Sequence, residues 1–330
     1  MRGNSRRVGR TSWYSAADVT SAGPVDLSVN IGALRLRNPI IAASGTFGYG
    51  LEFADLIDLN IIGGFVTKGL SLNPIQGSPA LRLCHTPSGM LNAVGLQNVG
   101  VRAFVAEKLP VLRKYDTPVL VNIFGYSPEE YAEVISILED APGIAGYELN
   151  ISCPNVKQGG IQFGSDPVMV SQVVGVARGA AASRPLWVKL SPLVTDIRVI
   201  AKTAEEAGAD GLTVANTYPA MSIDVKAHRS RLGCPTGGLS GPAIRPITVR
   251  LVWEAAKSVR IPIIGLGGIE TVDDVLEYLS VGAAAVQVGT ASFLDPGAVG
   301  GLAVELERRI SGCKLKNIKD LTEVLVPKLD

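Results

Sequence analysis

Residues 263–290 read IIGLGGIETVDDVLEYLSVGAAAVQVGT, a stretch that holds two short apolar runs and the connection between them. Ile263-Ile264-Gly265-Leu266 has strand character, Gly267-Gly268 is a turn, and residues 272–281 carry apolar side chains at helical spacing. A second apolar run at 285–288 then ends in Gly289-Thr290. Two buried-type strands joined by an amphipathic helix make the repeating unit of a parallel sheet.

Working outward, the same unit recurs along the chain. Strand-like runs fall at residues 40–43, 61–67, 119–123, 146–151, 187–190, 211–215, 263–266 and 285–288. Helical spacing follows at 128–139, 167–182, 196–207, 242–258, 272–281 and 297–310. Eight strands each trailed by a helix predict an α/β fold, the (β/α)8 TIM barrel; a doubly wound open sheet is the alternative. Two connections, 70–117 and 216–239, are too long for simple turns. Both leave the C-terminal ends of strands, where barrel enzymes build their sites, so they are expected to wall that face.

No linker divides residues 25–330, which are expected to form one domain. Residues 1–24 contain Arg2, Arg6, Arg7 and Arg10, no acid before Asp18 and no apolar core of a signal peptide, and read as a flexible N-terminal extension. The 330-residue chain balances 31 Lys and Arg against 30 Asp and Glu, so it has no broad positive field for nucleic acid. No apolar run approaches the roughly 18–20 residues of a membrane span. Cys84, Cys153, Cys234 and Cys313 are scattered, and only His85 and His228 could supply imidazole. A metal site is therefore not expected, and the cysteines read as reduced thiols of a cytoplasmic protein.

The residues just past each predicted strand are unusually polar: Ser44, Lys68-Gly69, Asn122, Asn150 with Cys153, Lys189, Asn216-Thr217, Gly267-Gly268 and Gly289-Thr290. Glycine turns after strands seven and eight are where barrels often hold a phosphate, although singly such glycines only tighten turns. Lys68 and Lys189 could stabilise negative charge on a reduced flavin or a carboxylated substrate, or could snorkel to solvent. Asn92, Asn150, Asn155 and Asn216 suit a planar, amide-rich ligand, or cap turns. Cys153, in a polar Gly-rich loop, could accept a proton near neutral pH. Burial as an inert thiol suits Cys84, Cys234 and Cys313 better.

Three motifs, Asn150-Ile151-Ser152-Cys153-Pro154-Asn155 running on to Gly159-Gly160, Asn92-Ala93-Val94-Gly95-Leu96-Gln97-Asn98, and Val188-Lys189-Leu190-Ser191-Pro192, resemble the class 1 dihydroorotate dehydrogenases. These are flavoproteins of pyrimidine biosynthesis that oxidise dihydroorotate to orotate. The resemblance spans residue 25 to the C-terminus and implies one FMN per barrel, with Cys153 as the base that takes the C5 proton. It assigns FMN contacts to Ser44, Lys68, Gly69, Asn122, Asn150, Lys189, Ala215, Gly241, Gly267, Gly268, Gly289 and Thr290. Substrate contacts fall on Lys68, Asn92, Ala93, Val94, Gly95, Leu96, Asn150, Asn155, Asn216 and Thr217.

Asn216-Thr217 and Gly237-Gly238-Leu239-Ser240-Gly241-Pro242-Ala243-Ile244 look more like the NAD-linked 1B type. That type implies a homodimer core joined by a second subunit carrying FAD and a [2Fe–2S] cluster. In agreement, this chain has no G-x-G-x-x-G fingerprint and no cysteine cluster. The alternatives are a fumarate-linked 1A homodimer, a non-redox phosphate-binding isomerase or lyase, and a non-catalytic flavin-binding subunit. Phe124 and Tyr218-Pro219 depart from the small or aliphatic residues usual at those places in the family.

Overall fold

The structure, a computed structural model, describes residues 25–151, 163–311 and 317–321. Eight strands, β1 (Ile40–Ala42), β2 (Gly64–Val66), β3 (Val119–Ile123), β4 (Gly146–Asn150), β5 (Leu186–Lys189), β6 (Gly211–Val214), β7 (Ile263–Leu266) and β8 (Ala283–Val288), pair in chain order. All pairs are parallel, and β8 closes on β1 with Val286 opposite Ile40 and Val288 opposite Ala42. Both strand faces are buried, one against the barrel interior and one against helices, which is why these runs are continuously apolar. The architecture is the (β/α)8 barrel.

Helices α1 (Pro128–Glu139), α2 (Pro167–Ala180), α3 (Ile197–Glu206), α4 (Arg245–Ala256), α5 (Val272–Ser280) and α6 (Ala298–Ser311) flank it. Four start on a side-chain cap: Ser127, Asp166, Asp196 and Thr271 accept from the backbone N–H of Glu130, Val168, Arg198 and Asp274. Each such cap contributes about 1 kcal/mol and fixes where the strand-end loop stops. In α5, Val272, Val275, Tyr278 and Leu279 form the buried stripe toward the barrel.

Three local expectations are corrected. The second strand is shorter than residues 61–67, because Leu59–Ile61 forms a 3-10 turn held by Asp58, and Asn38 Nδ2 donates to Ile61 O at 2.8 Å. No α-helix joins β1 to β2; Gly48 and Gly50, with φ of +54° and +91°, turn the chain into short 3-10 segments. The helix expected at 242–258 begins as a 3-10 turn, Pro242–Ile244, before α4.

Two further features position the site. The hairpin Leu83–Thr86 and Gly89–Asn92 joins Gly237–Ser240 and Tyr218–Ala220 in one four-stranded antiparallel sheet, so the two long insertions fold together. At the opposite end a hairpin, Val29–Ile31 and Leu34–Leu36, lies across the strand N-termini. A Cβ added to Gly211, the first residue of β6, would come 2.8 Å from Ile31 Cγ2, and Ile31 is fully buried. Among the described residues, no helix is long and apolar enough to cross a membrane.

Candidate active site

Inside the barrel, below its C-terminal mouth, lies a polar cluster centred on Glu148 of β4, which has no solvent exposure. Its Oε1 accepts from Asn122 Nδ2 at 2.8 Å; its Oε2 accepts from Thr213 Oγ1 at 2.8 Å and from Gln287 Nε2 at 2.5 Å. These donors come from β3, β6 and β8. Only the NH2 of the Gln287 amide can donate to a carboxylate, so that orientation follows from the chemistry.

Lys189 of β5 rises from this cluster. Its Nζ stands 3.9 Å from Glu148 Oε1 and donates to Ser44 Oγ, just past β1, at 2.9 Å. Burial lowers the ammonium pKa below the ordinary lysine value, and the Glu148 charge opposes that shift. The reading of Lys189 as a side chain snorkelling to solvent is thereby overturned: it is buried and paired.

Lys68, just past β2, is half-buried, and its backbone N–H donates to Gly48 O at 2.7 Å. Burial and the nearby Arg82 charge lower its pKa, while Glu52 raises it. A Cβ at Gly69 would come 2.8 Å from Asn122 Oδ1, so the chain stays bare there. Asn216 Nδ2 donates to Asn150 Oδ1 at 3.4 Å, and Tyr131 OH holds the Asn150 carbonyl at 2.9 Å. Ala215 follows β6, and its N–H donates to Leu266 O at 3.2 Å.

Asn92 Nδ2 donates to Gly238 O at 3.1 Å, and a Cβ at Gly238 would come 2.2 Å from Thr217 Oγ1. Asn92 and Thr217 therefore flank one strand of the insertion sheet. Beyond Asn92, Ala93 N–H donates to Arg82 O at 2.8 Å and Val94 O accepts from Ser78 N–H at 3.0 Å. Gly95 and Leu96 then turn the chain at φ of +71° and +57°.

The turns after β7 and β8 are built for close approach. Gly267, Gly268 and Gly241 have φ of +148°, +66° and +92°, and a Cβ on Gly268 would come 2.7 Å from Gly241 O. Tyr278 OH donates to Gly267 O at 2.7 Å, and Arg245, ion-paired with Asp274 and with Glu277 at 3.3 Å, donates to Gly268 O at 3.5 Å. A Cβ on Gly289 would meet Ala43 Cβ at 3.5 Å and the Thr46 side chain at 3.6 Å, ordinary van der Waals contacts that need no shift. Next to it, Thr290 Oγ1 donates to Ser240 Oγ at 2.8 Å. Glycine turns, paired hydroxyls and two lysines fit a phosphate-bearing, electron-accepting ring such as FMN.

Of the expected site residues, Ser44 with Lys189, Asn150 with Asn216, and Gly241 with Gly268 are brought together, and Asn92 and Thr217 both lie against Gly238. Asn122 lies deeper, 1% exposed and held by Glu148. Cys153 and Asn155 lie outside the described residues, as does Cys313. Cys84 and Cys234 are half-exposed rather than buried, because both sit on the insertions and not in the core. Glu148, Thr213, Gln287, Tyr278, Arg245 and Ser240 were not singled out from the sequence as parts of the site.

A family model described as dihydroorotate dehydrogenase matches residues 26–310. The chain belongs to the dihydroorotate dehydrogenase family. This is a family of flavin-dependent oxidoreductases. A relative from Pelobacter propionicus is 53% identical over 300 residues, 91% of this chain and 98% of that protein. Its name is dihydroorotate dehydrogenase B (NAD(+)), catalytic subunit, as is that of a Geotalea daltonii relative, 52% identical over the same shares of both chains. A third, from Solibacter usitatus, is 52% identical over 299 residues, 91% of this chain and 98% of that protein, and is provisionally named dihydroorotate dehydrogenase A (fumarate). Identity alone therefore does not separate the two electron-acceptor types within the dihydroorotate dehydrogenases.

Proposed function

We propose that this chain is the catalytic subunit of a dihydroorotate dehydrogenase, oxidising dihydroorotate to orotate in pyrimidine biosynthesis and passing electrons to NAD through a partner subunit. The observation that carries the reading is the buried Glu148–Lys189–Ser44 line, which delivers one ammonium to the same mouth that holds the glycine turns. Residues 25–330 form the FMN-binding domain in this reading, with one FMN held by Ser44, Lys68, Gly69, Asn122, Asn150, Lys189, Ala215, Gly241, Gly267, Gly268, Gly289 and Thr290. When bound, FMN supplies the acceptor for the hydride leaving C6 of dihydroorotate.

The chain's own residues do the rest. Lys68, residues 92–96, Asn150, Asn155 and the Asn216-Thr217 pair bind the carboxylate and the amide edges of the substrate. Their donors and acceptors match a planar ring that presents both. The Cys153 thiolate takes the proton from C5, so that the C5–H pair of electrons becomes the new C5=C6 bond as the hydride departs. Lys189 holds a positive charge where negative charge gathers on the reduced ring.

FAD and the [2Fe–2S] cluster belong to the partner subunit, docked on a homodimer of this chain, and the reaction is cytoplasmic. The names of the NAD-linked relatives support this arrangement. The second reading, a fumarate-linked homodimer, is favoured by the Solibacter usitatus relative.

The deciding experiment purifies the chain alone, records its visible spectrum, and adds dihydroorotate without oxygen. A flavin band that bleaches is the expected result; a yellow protein that does not bleach removes the substrate, and one that cannot be loaded with FMN removes the cofactor. Fumarate is then added to the reduced protein. Rapid reoxidation without a partner would select the second reading.

A further inference from the structure

A carboxylate inside a barrel is costly unless it is paired and fully hydrogen-bonded, and Glu148 is both. Three donors from three strands converge on it, a number that an acceptor-only carboxylate satisfies and a glutamine would not. The cluster is larger than Lys189 needs for placement alone, since Ser44 already receives the Lys189 ammonium at 2.9 Å. What Ser44 cannot provide is charge. From the strands packed against β5, Glu148 and Asn150 face Lys189 from β4 and Thr213 stands in register with it on β6. Among the described residues Glu148 is the one charged group that acts on it, and burial works against its proton.

We propose that Glu148 is a positioning residue that keeps Lys189 protonated and aimed at the mouth, and thereby sets the reduction potential of the flavin held there. Asn122, Thr213 and Gln287 are the donors that hold the Glu148 side chain in place. This rests on the reading of Lys189 as the ammonium facing the reduced ring. Without Glu148 the buried ammonium releases its proton at alkaline pH, and the reduced form of the cofactor loses its stabilising charge. A merely structural Glu148, tying β3, β6 and β8 together, would lower thermal stability but leave the potential where Lys189 puts it.

The test measures the midpoint potential of the FMN-loaded protein for the parent, Glu148→Gln, Lys189→Met and the double variant, at pH 6 and pH 9, with thermal unfolding alongside. At pH 9, Lys189→Met is expected to weaken the preference for the reduced cofactor at least tenfold, about 30 mV for a two-electron couple. Glu148→Gln should fall with it, and the double variant should fall no further, the non-additivity expected when one residue acts through the other. At pH 6 the potential of Glu148→Gln should return to or above that of the parent, because Lys189 is protonated again.

A Glu148→Gln potential at or above the parent's at pH 9, or effects that simply add, would overturn the proposal while leaving Lys189 in its role. A Lys189→Met variant with the parent's potential would instead remove the reading of Lys189 and the role of Glu148 with it. Should Glu148→Gln fail to fold, Glu148→Asp keeps the charge but withdraws it from Lys189 by one methylene. A partial fall at pH 9 is expected of it, and a parental value overturns the proposal.

Discussion

Thr290 Oγ1 donates to Ser240 Oγ at 2.8 Å, joining the turn after β8 to the strand that ends the second long insertion. In the proposed reading this pair lines a phosphate notch, which is then not owned by one βα unit, because the insertion sheet supplies one of its hydroxyls. Thr290→Val removes this tie and one hydroxyl from the notch. Flavin affinity is expected to fall about five- to tenfold, the size of one or two modest hydrogen bonds. Titration of the flavin-free protein with FMN, followed by fluorescence quenching, reads it directly.

The glycines of the cradle should separate into two kinds. Gly268→Ala puts a Cβ 2.7 Å from Gly241 O at a φ of +66°, so the fold itself is expected to lose about 1–2 kcal/mol in denaturant unfolding. Gly289→Ala meets nothing nearer than 3.5 Å, so its unfolding midpoint should match the parent's. In the proposed reading, however, FMN lies against Gly289, so the added methyl group should drop FMN binding at least tenfold. Equal FMN affinity in Gly289→Ala and the parent would put the phosphate elsewhere.

Cys153→Ser should keep the yellow colour and slow bleaching by dihydroorotate at neutral pH by two orders of magnitude or more, because a hydroxyl is a far weaker base than a thiol. In the parent the bleaching rate should rise with pH as the thiol ionises. Anaerobic stopped-flow at several pH values tests both, and a flat parent profile with chemistry limiting would count against a thiol base.

The lowered pKa values of Lys68 and Lys189 bear on stability at alkaline pH. Between their lowered folded values and the ordinary 10.5, the unfolded chain holds more protons than the folded one. Stability of the flavin-free protein contributed by these groups therefore rises with pH across that window. Lys68→Met should flatten the rise by less than one proton, which urea unfolding at pH 8, 9 and 10 measures. An unchanged slope would mean that Lys68 titrates as it does in water.

Much of the barrel is legible in the chain because its strands are buried on both faces and read as unbroken apolar runs. The bounds of β3, β7 and α1 coincide with the expected 119–123, 263–266 and 128–139. The polar strand ends were legible too, since an ammonium or amide at the end of an apolar run stands out. Glu148 was not: within Gly-Tyr-Glu-Leu-Asn a single acid looks like a solvent-facing residue. Its partners, Asn122, Thr213 and Gln287, lie up to 139 positions away and meet it only when the barrel closes. Long-range pairing likewise hid the insertion sheet, in which Leu91 stands opposite Leu239. The hairpin at 29–36 alternates Val29, Ile31, Leu34 and Leu36 correctly for a half-buried ribbon, but it precedes the first long apolar run and is only three residues a side.

That hairpin has a bearing on traffic. Ile31 packs against Gly211 at the strand N-termini, the barrel end away from the insertion sheet. In the proposed reading dihydroorotate arrives, and orotate departs, at the other end, past the insertion sheet. Substrate and product would then share one threshold, so that each turnover has to clear the last guest before it admits the next.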